Sequence, residues 1–215
     1  MNFKKIDMET YERKAGFEYF KKLAFPYVGI TSNVDITEIE RLRKEKNMPF
    51  FLTVLYIASQ AANRVPEIRR RINDEGEIIE YDNCKTSHTV ALENRTYVYC
   101  ELDSNMPYFE YVKIGKLKQE EAKLKGGLED ETDSRALFFV SSLPWITYTS
   151  LAQPVPVPAD SNPRITFGKK FDMNGRIYMP LSLLVHHGLV DGIHIADFYN
   201  NFEIVSEEVR KELEN

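Results

Sequence analysis

Hydrophobic and polar positions follow several different periods along the chain, and these patterns predict both strands and helices. Short apolar runs and two-residue alternation, which are typical of strands, cover residues 27–36, 77–81, 86–102, 136–142, 165–170 and 177–185. Helical spacing covers residues 8–23, 36–47, 49–65 and 108–124, and it resumes at residue 192. Since strands and helices do not alternate regularly, the pattern predicts an α+β fold around a mixed or largely antiparallel sheet.

Proline, glycine and asparagine mark where several of these elements end. Pro66 stops the helix that precedes it, and a short helical turn is expected at 66–72. Residues 93–95 predict a hairpin turn, and Asn174-Gly175 carries a stronger hairpin signal between two strands. Residues 153–163 are rich in proline, which predicts a rigid loop without regular structure.

The composition is that of a globular protein and excludes several function classes. Hydrophobic residues make up 43% of the 215 positions and aromatic residues 12%, which is enough for one substantial core. We therefore expect residues 1–215 to form a single domain. The net charge of −5 excludes a broad basic surface for nucleic acid.

The first residues and the cysteine count predict a cytoplasmic location. The N-terminus is charged from its start and lacks the apolar segment of a signal peptide. No stretch approaches the roughly 20 apolar residues that a membrane span requires. Cys84 and Cys100 are too few for a disulfide framework, so both are expected to be reduced thiols.

Residues 181–198 contain the most informative motif of the chain. An apolar run ends on two histidines, and His187 and Asp191 then form an H-x-x-x-D-G element before a helix that starts near Gly192. A histidine at the end of a buried strand can be desolvated, held in one orientation and still face a cleft. A general base has these requirements.

The same residues allow two other interpretations. Asp191 lies where a helix N-cap would lie, so its carboxylate could accept hydrogen bonds from the first backbone N–H groups of the helix, such as that of His194. His186 and His187 point to opposite faces if the strand continues through them, so one of them is expected to be structural. The side chains of these residues are also of the types that bind metals. A candidate metal site is therefore formed by His186, His187, Asp191 and His194.

Three further segments accompany the motif and indicate a family. They are YERKAGF around Arg13, FFVSSLPW at 138–145 and RITFGKK at 164–170. With these segments in matching order from Tyr11 to Phe198, the chain resembles the chloramphenicol acetyltransferase family. The resemblance implies a two-layer subunit, with helices packed on a mixed, largely antiparallel sheet, that assembles as a homotrimer with active sites between subunits. It also implies transfer of an acetyl group from acetyl-CoA to a hydroxyl of a small molecule such as chloramphenicol.

The resemblance assigns roles in the transfer reaction to three residues. His187 matches the catalytic general base, with its Nδ1–H held by its own backbone carbonyl. Ser141 matches the donor that stabilises the tetrahedral oxyanion, and Thr166 matches a threonine that binds a water beside it. His186 has no catalytic role in the family and is expected to pack structurally. The implied chemistry uses no metal.

Other matched residues would support the site or bind the substrates. Asp191 matches a structural carboxylate, and Arg13 matches the arginine that pairs with it, here expected as a bidentate ion pair. Lys169 lies where the family contacts coenzyme A. The residues that match the family's acceptor pocket are Tyr19, Phe20 and Val28.

Two alternatives to chloramphenicol acetylation follow from departures in the expected pocket. The stretch Ser161-Asn162-Pro163-Arg164 replaces an aromatic and small apolar residues, which favours a more polar acceptor. The same changes are also compatible with a homologue that binds a ligand without catalysis. Retention of both Ser141 and His187 favours an enzyme.

Overall fold

Ten strands and five α-helices occur in residues 2–130 and 132–214, the part of the chain that a computed structural model describes. In chain order the strands are β1 (Phe3–Lys5), β2 (Tyr27–Asp35), β3 (Arg70–Ile72), β4 (Ile78–Tyr81), β5 (Lys85–Ala91), β6 (Tyr97–Leu102), β7 (Leu137–Leu143), β8 (Arg164–Gly168), β9 (Phe171–Met173) and β10 (Arg176–His186). The helices are α1 (Lys14–Phe20), α2 (Thr37–Glu45), α3 (Phe50–Asn63), α4 (Tyr108–Lys125) and α5 (Gly192–Glu214). Within these described residues, no helix is both long enough and apolar enough to cross a bilayer.

The larger of two sheets has the strand order β2-β10-β8-β7-β5-β6, and β9 forms a hairpin with the start of β10. β5 and β8 lie parallel to β7, while the other neighbours are antiparallel. A smaller antiparallel sheet has the order β1-β4-β3. The α+β class and the mixed, largely antiparallel sheet that the pattern predicts are therefore confirmed.

One face of the larger sheet packs against the helices. Successive side chains along each strand point to opposite faces, so every second one lies on the helix side. Leu181, Leu183 and Val185 of β10 are at most 1% exposed and belong to the core shared with α3 and α5. Burying each such side chain contributes about 1.5–3 kcal/mol. Phe167 of β8 also contacts Phe51 of α3, with ring centroids 5.5 Å apart. The residues between them point to the opposite side, called the outer face below and defined by Ser141, Thr166 and Ser182.

Two predicted helical segments differ from the structure. The helix expected at 8–23 extends only over Lys14–Phe20, and Phe17 is its one buried residue. A single buried position cannot stabilise a longer helix, because most helical stability comes from packing. The turn expected at 66–72 is a 3₁₀ turn over Pro66–Arg69 followed by β3. Strand geometry places Arg71 inside the protein, where its guanidinium donates to the backbone carbonyls of Arg135 and Leu137.

Candidate active site

The turn that carries His187 follows β10 directly and leads into α5. Pairing of His186 with Tyr27 ends the ladder between β10 and β2, and the His187 N–H then donates to the Pro26 carbonyl at 2.7 Å. The N–H groups of Leu189 and Val190 both donate to the His186 carbonyl. Backbone hydrogen bonds therefore fix the position of this turn relative to the sheet.

The His187 ring is held in one orientation and one tautomer. Its Nδ1 lies 3.0 Å from the Val190 carbonyl oxygen. Because a carbonyl oxygen can only accept, Nδ1 carries the proton and Nε2 carries a lone pair. The ring stacks on Phe20, with centroids 3.9 Å apart and an interplanar angle of 26°. The expected contact of Nδ1 with the residue's own carbonyl was wrong, since the tight turn brings the Val190 carbonyl to this nitrogen instead.

His186 occupies a different environment from its neighbour. It is 3% exposed, its Nδ1 accepts the Gly188 N–H at 3.1 Å, and its ring meets Tyr27 edge-on. Burial lowers the pKa of His186 to about 4. The side chain is therefore neutral at physiological pH and packs within the protein.

Arg13 connects the N-terminal segment to the His187 turn. Its guanidinium donates to the carbonyls of Leu189 and His187, the second at 3.3 Å. It also lies 3.6 Å from one carboxylate oxygen of Asp191. The expected bidentate ion pair was wrong, because the guanidinium uses its donors on the backbone of the turn.

Asp191 lies at the beginning of α5 and is more than half exposed. Its carboxylate accepts the Gly192 N–H at 2.8 Å. This hydrogen bond, and secondarily the charge of Arg13, holds the pKa of Asp191 below its usual value. The expected cap on the His194 N–H is not formed, since that group donates to the Asp191 backbone carbonyl.

A row of hydroxyl side chains crosses four strands on the outer face. Ser141 of β7 lies directly opposite Thr166 of β8. Ser182 of β10 lies opposite Thr166 on one side and opposite Thr31 of β2 on the other. Ser141 is exposed, whereas Thr166 is 2% exposed. The Thr31 and Ser182 hydroxyls are 2.7 Å apart. Strand register therefore brings Ser141 and Thr166 together, as the proposed roles of both require.

Tyr148 joins this hydroxyl row from the loop after β7. Its hydroxyl donates to the Thr166 carbonyl at 3.0 Å and accepts from the Ser182 hydroxyl at 3.4 Å. Sequence reasoning assigned no role to Tyr148 or Ser182. A signal was present for Ser182, which is a single hydroxyl within an otherwise apolar run.

His187 and the hydroxyl row occupy separate parts of one chain. Four residue steps along β10 lead from Ser182 to His186, and at about 3.3 Å per step this distance is about 13 Å. Ser141 lies two strands further across the sheet. A single reacting centre therefore cannot contact both Ser141 and His187 of the same chain.

A cavity of about 350 Å³ lies beside Ser141 on the outer face. Its walls come from β5, β6, β7, the start of β8 and the loop segments before and after β7. They include Ser87, Tyr99, Asp130, Phe139, Ser141 and Arg164. Sequence reasoning did not find Asp130, which lies in a polar connecting segment without a motif.

The three residues expected in the acceptor pocket lie in different places. Phe20 stacks on His187, and Tyr19 contacts the Phe20 ring edge-on at 5.1 Å while remaining 64% exposed. Val28 is opposite the buried Val185 and packs against the core. The structure thus places Tyr19 and Phe20 near His187, whereas Val28 lies on the helix side of the sheet.

Two consecutive lysines after β8 have different surroundings. Lys170 forms an ion pair with Glu40, and its ammonium lies 4.7 Å from the centre of the Phe50 ring. Lys169 is exposed, and its backbone N–H donates to the Ile146 carbonyl at 2.8 Å. Lys169 is therefore the more exposed of the two lysines.

The polar stretch before β8 is used internally. The Ser161 hydroxyl accepts the Ile72 N–H, and the Asn162 amide donates to two backbone carbonyls. Arg164 forms a bidentate ion pair with Asp160 at 2.9 and 2.8 Å. Arg164 also lines the cavity beside Ser141, so the more polar acceptor that this stretch favours stays a prediction.

Possible metal ligands and thiols were also located in the described residues. Residues 2–130 and 132–214 contain no group of three or more His, Cys, Asp or Glu side chains arranged to hold a metal ion. His194 accepts the Asp191 N–H through Nδ1 at 2.9 Å. Cys84 and Cys100 are both buried, and neither forms a disulfide within the described part of the chain.

Comparison with known proteins connects this geometry to a family. The family model for chloramphenicol acetyltransferase matches residues 1–203. The chain belongs to the chloramphenicol acetyltransferase family. A chloramphenicol acetyltransferase from Clostridium perfringens is 30% identical over 204 residues, which cover 93% of each chain. The family identifies the chain as an acyltransferase.

Solved structures agree with this family assignment. A chloramphenicol acetyltransferase structure superimposes with a TM-score of 0.82 at 26% identity, covering 94% of this chain and 99% of that one. The cubic core of a pyruvate dehydrogenase multienzyme complex gives a TM-score of 0.67 at 17% identity, covering 92% and 88%. The second likeness shows a common fold only.

Proposed function

We propose that this protein transfers an acetyl group from acetyl-CoA to a hydroxyl of a small molecule, with chloramphenicol as the first acceptor to test. One observation carries the proposal: the contact of His187 Nδ1 with the Val190 carbonyl leaves Nε2 as a base. The name that the relatives share supports the same reaction. We further propose that residues 1–215 form one acyltransferase domain and that the enzyme acts in the cytoplasm.

The reaction would proceed through a tetrahedral intermediate. Nε2 of His187 removes the proton of the acceptor hydroxyl while its oxygen attacks the thioester carbonyl. The Ser141 hydroxyl donates to the resulting oxyanion, and a water bound by Thr166 supports it. Collapse breaks the carbon–sulfur bond, and the coenzyme A sulfur receives the proton from His187. Side chains and one bound water supply each of these steps, so the proposed mechanism uses no metal.

The two catalytic groups contribute effects of different size. A positioned general base is typically worth ~10²–10⁴ in rate, and one oxyanion donor is worth ~10²–10³. We propose that Lys169 binds the phosphates of coenzyme A, since this exposed lysine directly follows the end of β8.

A second copy of the chain would complete each active site. The separation of about 13 Å along β10 prevents His187 and Ser141 of one chain from meeting at one carbonyl. Exposed aromatic residues lie near each half-site, with Tyr19 at 64% and Trp145 at 73% exposure. Contact with a second copy would remove these two rings from water, which is favourable. We propose a homotrimer in which His187 of one subunit faces Ser141 and Thr166 of its neighbour.

The first test measures thiol release from acetyl-CoA with and without chloramphenicol. The proposal expects drug-dependent release that His187→Ala lowers by at least ~10²-fold. Ser141→Ala is expected to lower kcat similarly, while Ser142→Ala, its neighbour in the sequence, serves as the matched control. Undiminished acetyl transfer by His187→Ala would contradict the assignment of the base. Binding of acetyl-CoA without turnover for any hydroxylated acceptor would favour a non-catalytic homologue.

A further inference from the structure

We propose that the cavity beside Ser141 selects hydroxylated acceptors that also carry a positive charge, and that Asp130 is the residue that selects them. This inference rests on the proposed function, because it names the class of acceptor for the same site. Asp130 lines the cavity together with Ser141. The predicted acceptor is therefore an amino alcohol or a similar cationic molecule.

The strand register fixes Asp130 at a useful distance from the reacting centre. The Ser87 hydroxyl donates to Asp130 Oδ1 at 2.5 Å and so holds the carboxylate on the outer face. Ser87 of β5 is opposite Phe139, two residues before Ser141 on β7. Strand spacing and rise place the backbones of Ser87 and Ser141 about 8 Å apart. An acceptor of a few bonds' length can span this distance.

The charge of Asp130 is not matched by a cation among the described residues that line the cavity. Arg164 also lines it, but its guanidinium is occupied by Asp160. Nearby Glu101 accepts hydrogen bonds from Thr132 and lies 3.8 Å from Lys85. Asp130 has the Ser87 hydroxyl as its hydrogen-bond partner. An acceptor cation would supply the missing charge.

Electrostatics and aromatic side chains add to this preference. Burial raises the pKa of Asp130, and the charge of Glu101 raises it further, although the Ser87 hydrogen bond opposes both. Burial and a like charge both disfavour the ionised carboxylate, and a bound cation would favour it. Tyr97 and Tyr99 line the same cavity with ring centroids 6.0 Å apart and stacked at 23°. Their faces attract cations.

The test compares two acceptors that share one skeleton and differ at its nitrogen, which is acylated and neutral in one and a free ammonium in the other. Chloramphenicol is neutral, whereas its deacylated amine, 2-amino-1-(4-nitrophenyl)propane-1,3-diol, keeps the ring and both hydroxyls and carries an ammonium. For wild type and Asp130→Asn, kcat/KM is measured with each acceptor. Asp130→Asn is expected to lower the ratio of amine to chloramphenicol about tenfold, mainly through KM of the amine, as is typical of a charge-assisted contact.

Three further variants separate selection from structural damage. Glu93→Gln removes an equal charge from the exposed hairpin between β5 and β6 and is expected to leave the ratio unchanged. Asp130→Glu keeps the charge and is expected to retain most of the preference. Ser87→Ala releases the carboxylate from its position and is expected to lower the ratio partly. An equal loss with both acceptors, or an unchanged ratio in Asp130→Asn, would overturn the proposal.

Binding in the absence of acetyl-CoA distinguishes this inference from the proposed function. Calorimetric titration of the wild type with the amine is expected to give tighter binding than titration with chloramphenicol, and Asp130→Asn is expected to abolish the difference. This result would support the inference even if neither acceptor were acetylated, in which case the proposed reaction fails for them. Equal affinity for both acceptors, or no binding of the amine, would overturn the inference.

Discussion

Adjacent residues of identical type take different roles because a strand ends between them. His186 still belongs to β10 and is buried, whereas His187 begins the turn and stacks on Phe20. Alternation along the strand predicts that the two rings separate. The partner of His187 Nδ1 could not be predicted, because it depends on how residues 187–190 fold back. The same holds for Asp191, whose contacts depend on where Arg13 lies.

Buried neutral histidines predict a loss of stability in mild acid. Burial lowers the pKa of His186 to about 4 and that of His88 to about 3, both below the value of about 6.5 in an unfolded chain. Between these values the unfolded chain binds more protons, so the free energy of unfolding falls as pH decreases below about 6.5. From pH 7 to pH 5 the expected loss is about 1–2 kcal/mol for each histidine.

Urea unfolding at pH 7 and pH 5 measures this loss. His186→Asn and His88→Gln are each expected to reduce the difference between the two pH values. Glu40 does not interfere, because ion pairs and hydrogen bonds lower its pKa to about 2, so its contribution is lost only below about pH 4.5. An unchanged difference in both variants would contradict the assignment of these histidines.

Arg13 is expected to matter more than the carboxylate that it contacts. Asp191 is over half exposed, and exposed ion pairs contribute little to stability. The guanidinium of Arg13, in contrast, holds two backbone carbonyls of the His187 turn. Arg13→Ala should lower kcat by roughly tenfold or more, because small displacements of a catalytic group are costly. Asp191→Asn should lower it less. Steady-state kinetics of both variants measure this, and the reverse order would exclude backbone anchoring as the role of Arg13.

At the scale of elements, long strands and helices were more predictable from the sequence than short ones. The long apolar runs of β10 and α3 carry enough buried positions to determine their own structure. α1 has one buried residue, and β3 forms because it pairs with β4. Such pairing between distant segments has no signal in the local pattern.

Alanine substitutions at Gly168 and at Gly16 are expected to change the stability of the protein in opposite directions. A Cβ at Gly168 would lie 2.6 Å from the Tyr148 ring and 2.7 Å from Pro180. Gly168→Ala should therefore cost about 1–3 kcal/mol of stability, the usual cost of overpacking. It should also lower kcat, since Tyr148 bonds the Thr166 carbonyl.

Gly16 in α1 is the matched control, because nothing lies within 4 Å of a Cβ there. Gly16→Ala should stabilise the protein by about 0.5–1 kcal/mol, since alanine favours a helix over glycine. Thermal unfolding of both variants gives the comparison. A tolerated Gly168→Ala would mean that Tyr148 does not lie against β8.

At the scale of the whole molecule, the two groups proposed to be catalytic, Ser141 and His187, lie in separate parts of one chain. Motifs in the sequence identify Ser141 and His187, but a pattern along one chain contains no information about the distance between them. The register of four strands supplies that distance. The acceptor cavity was less predictable still, because Asp130 acquires its place only through Ser87.

Two inactive variants are expected to restore activity when they assemble together. His187→Ala keeps Ser141, and Ser141→Ala keeps His187, so a mixed oligomer contains interfaces where both intact groups meet. Coexpression should yield acetyl transfer well above that of either variant alone. The control mixes the purified variants without allowing subunit exchange, and no gain is expected there. If coexpressed variants stayed as inactive as each alone, an active site shared between subunits would be excluded.

The contact between Arg13 and the His187 turn joins residues 174 positions apart. A chain interrupted in the irregular loop between β7 and β8, where Val157 is 96% exposed, would carry Arg13 on one fragment and His187 on the other. Neither fragment could hold the catalytic turn alone. Enzymatic activity would then report that the two fragments had found each other, and the fold would serve as a split reporter of association between fused proteins.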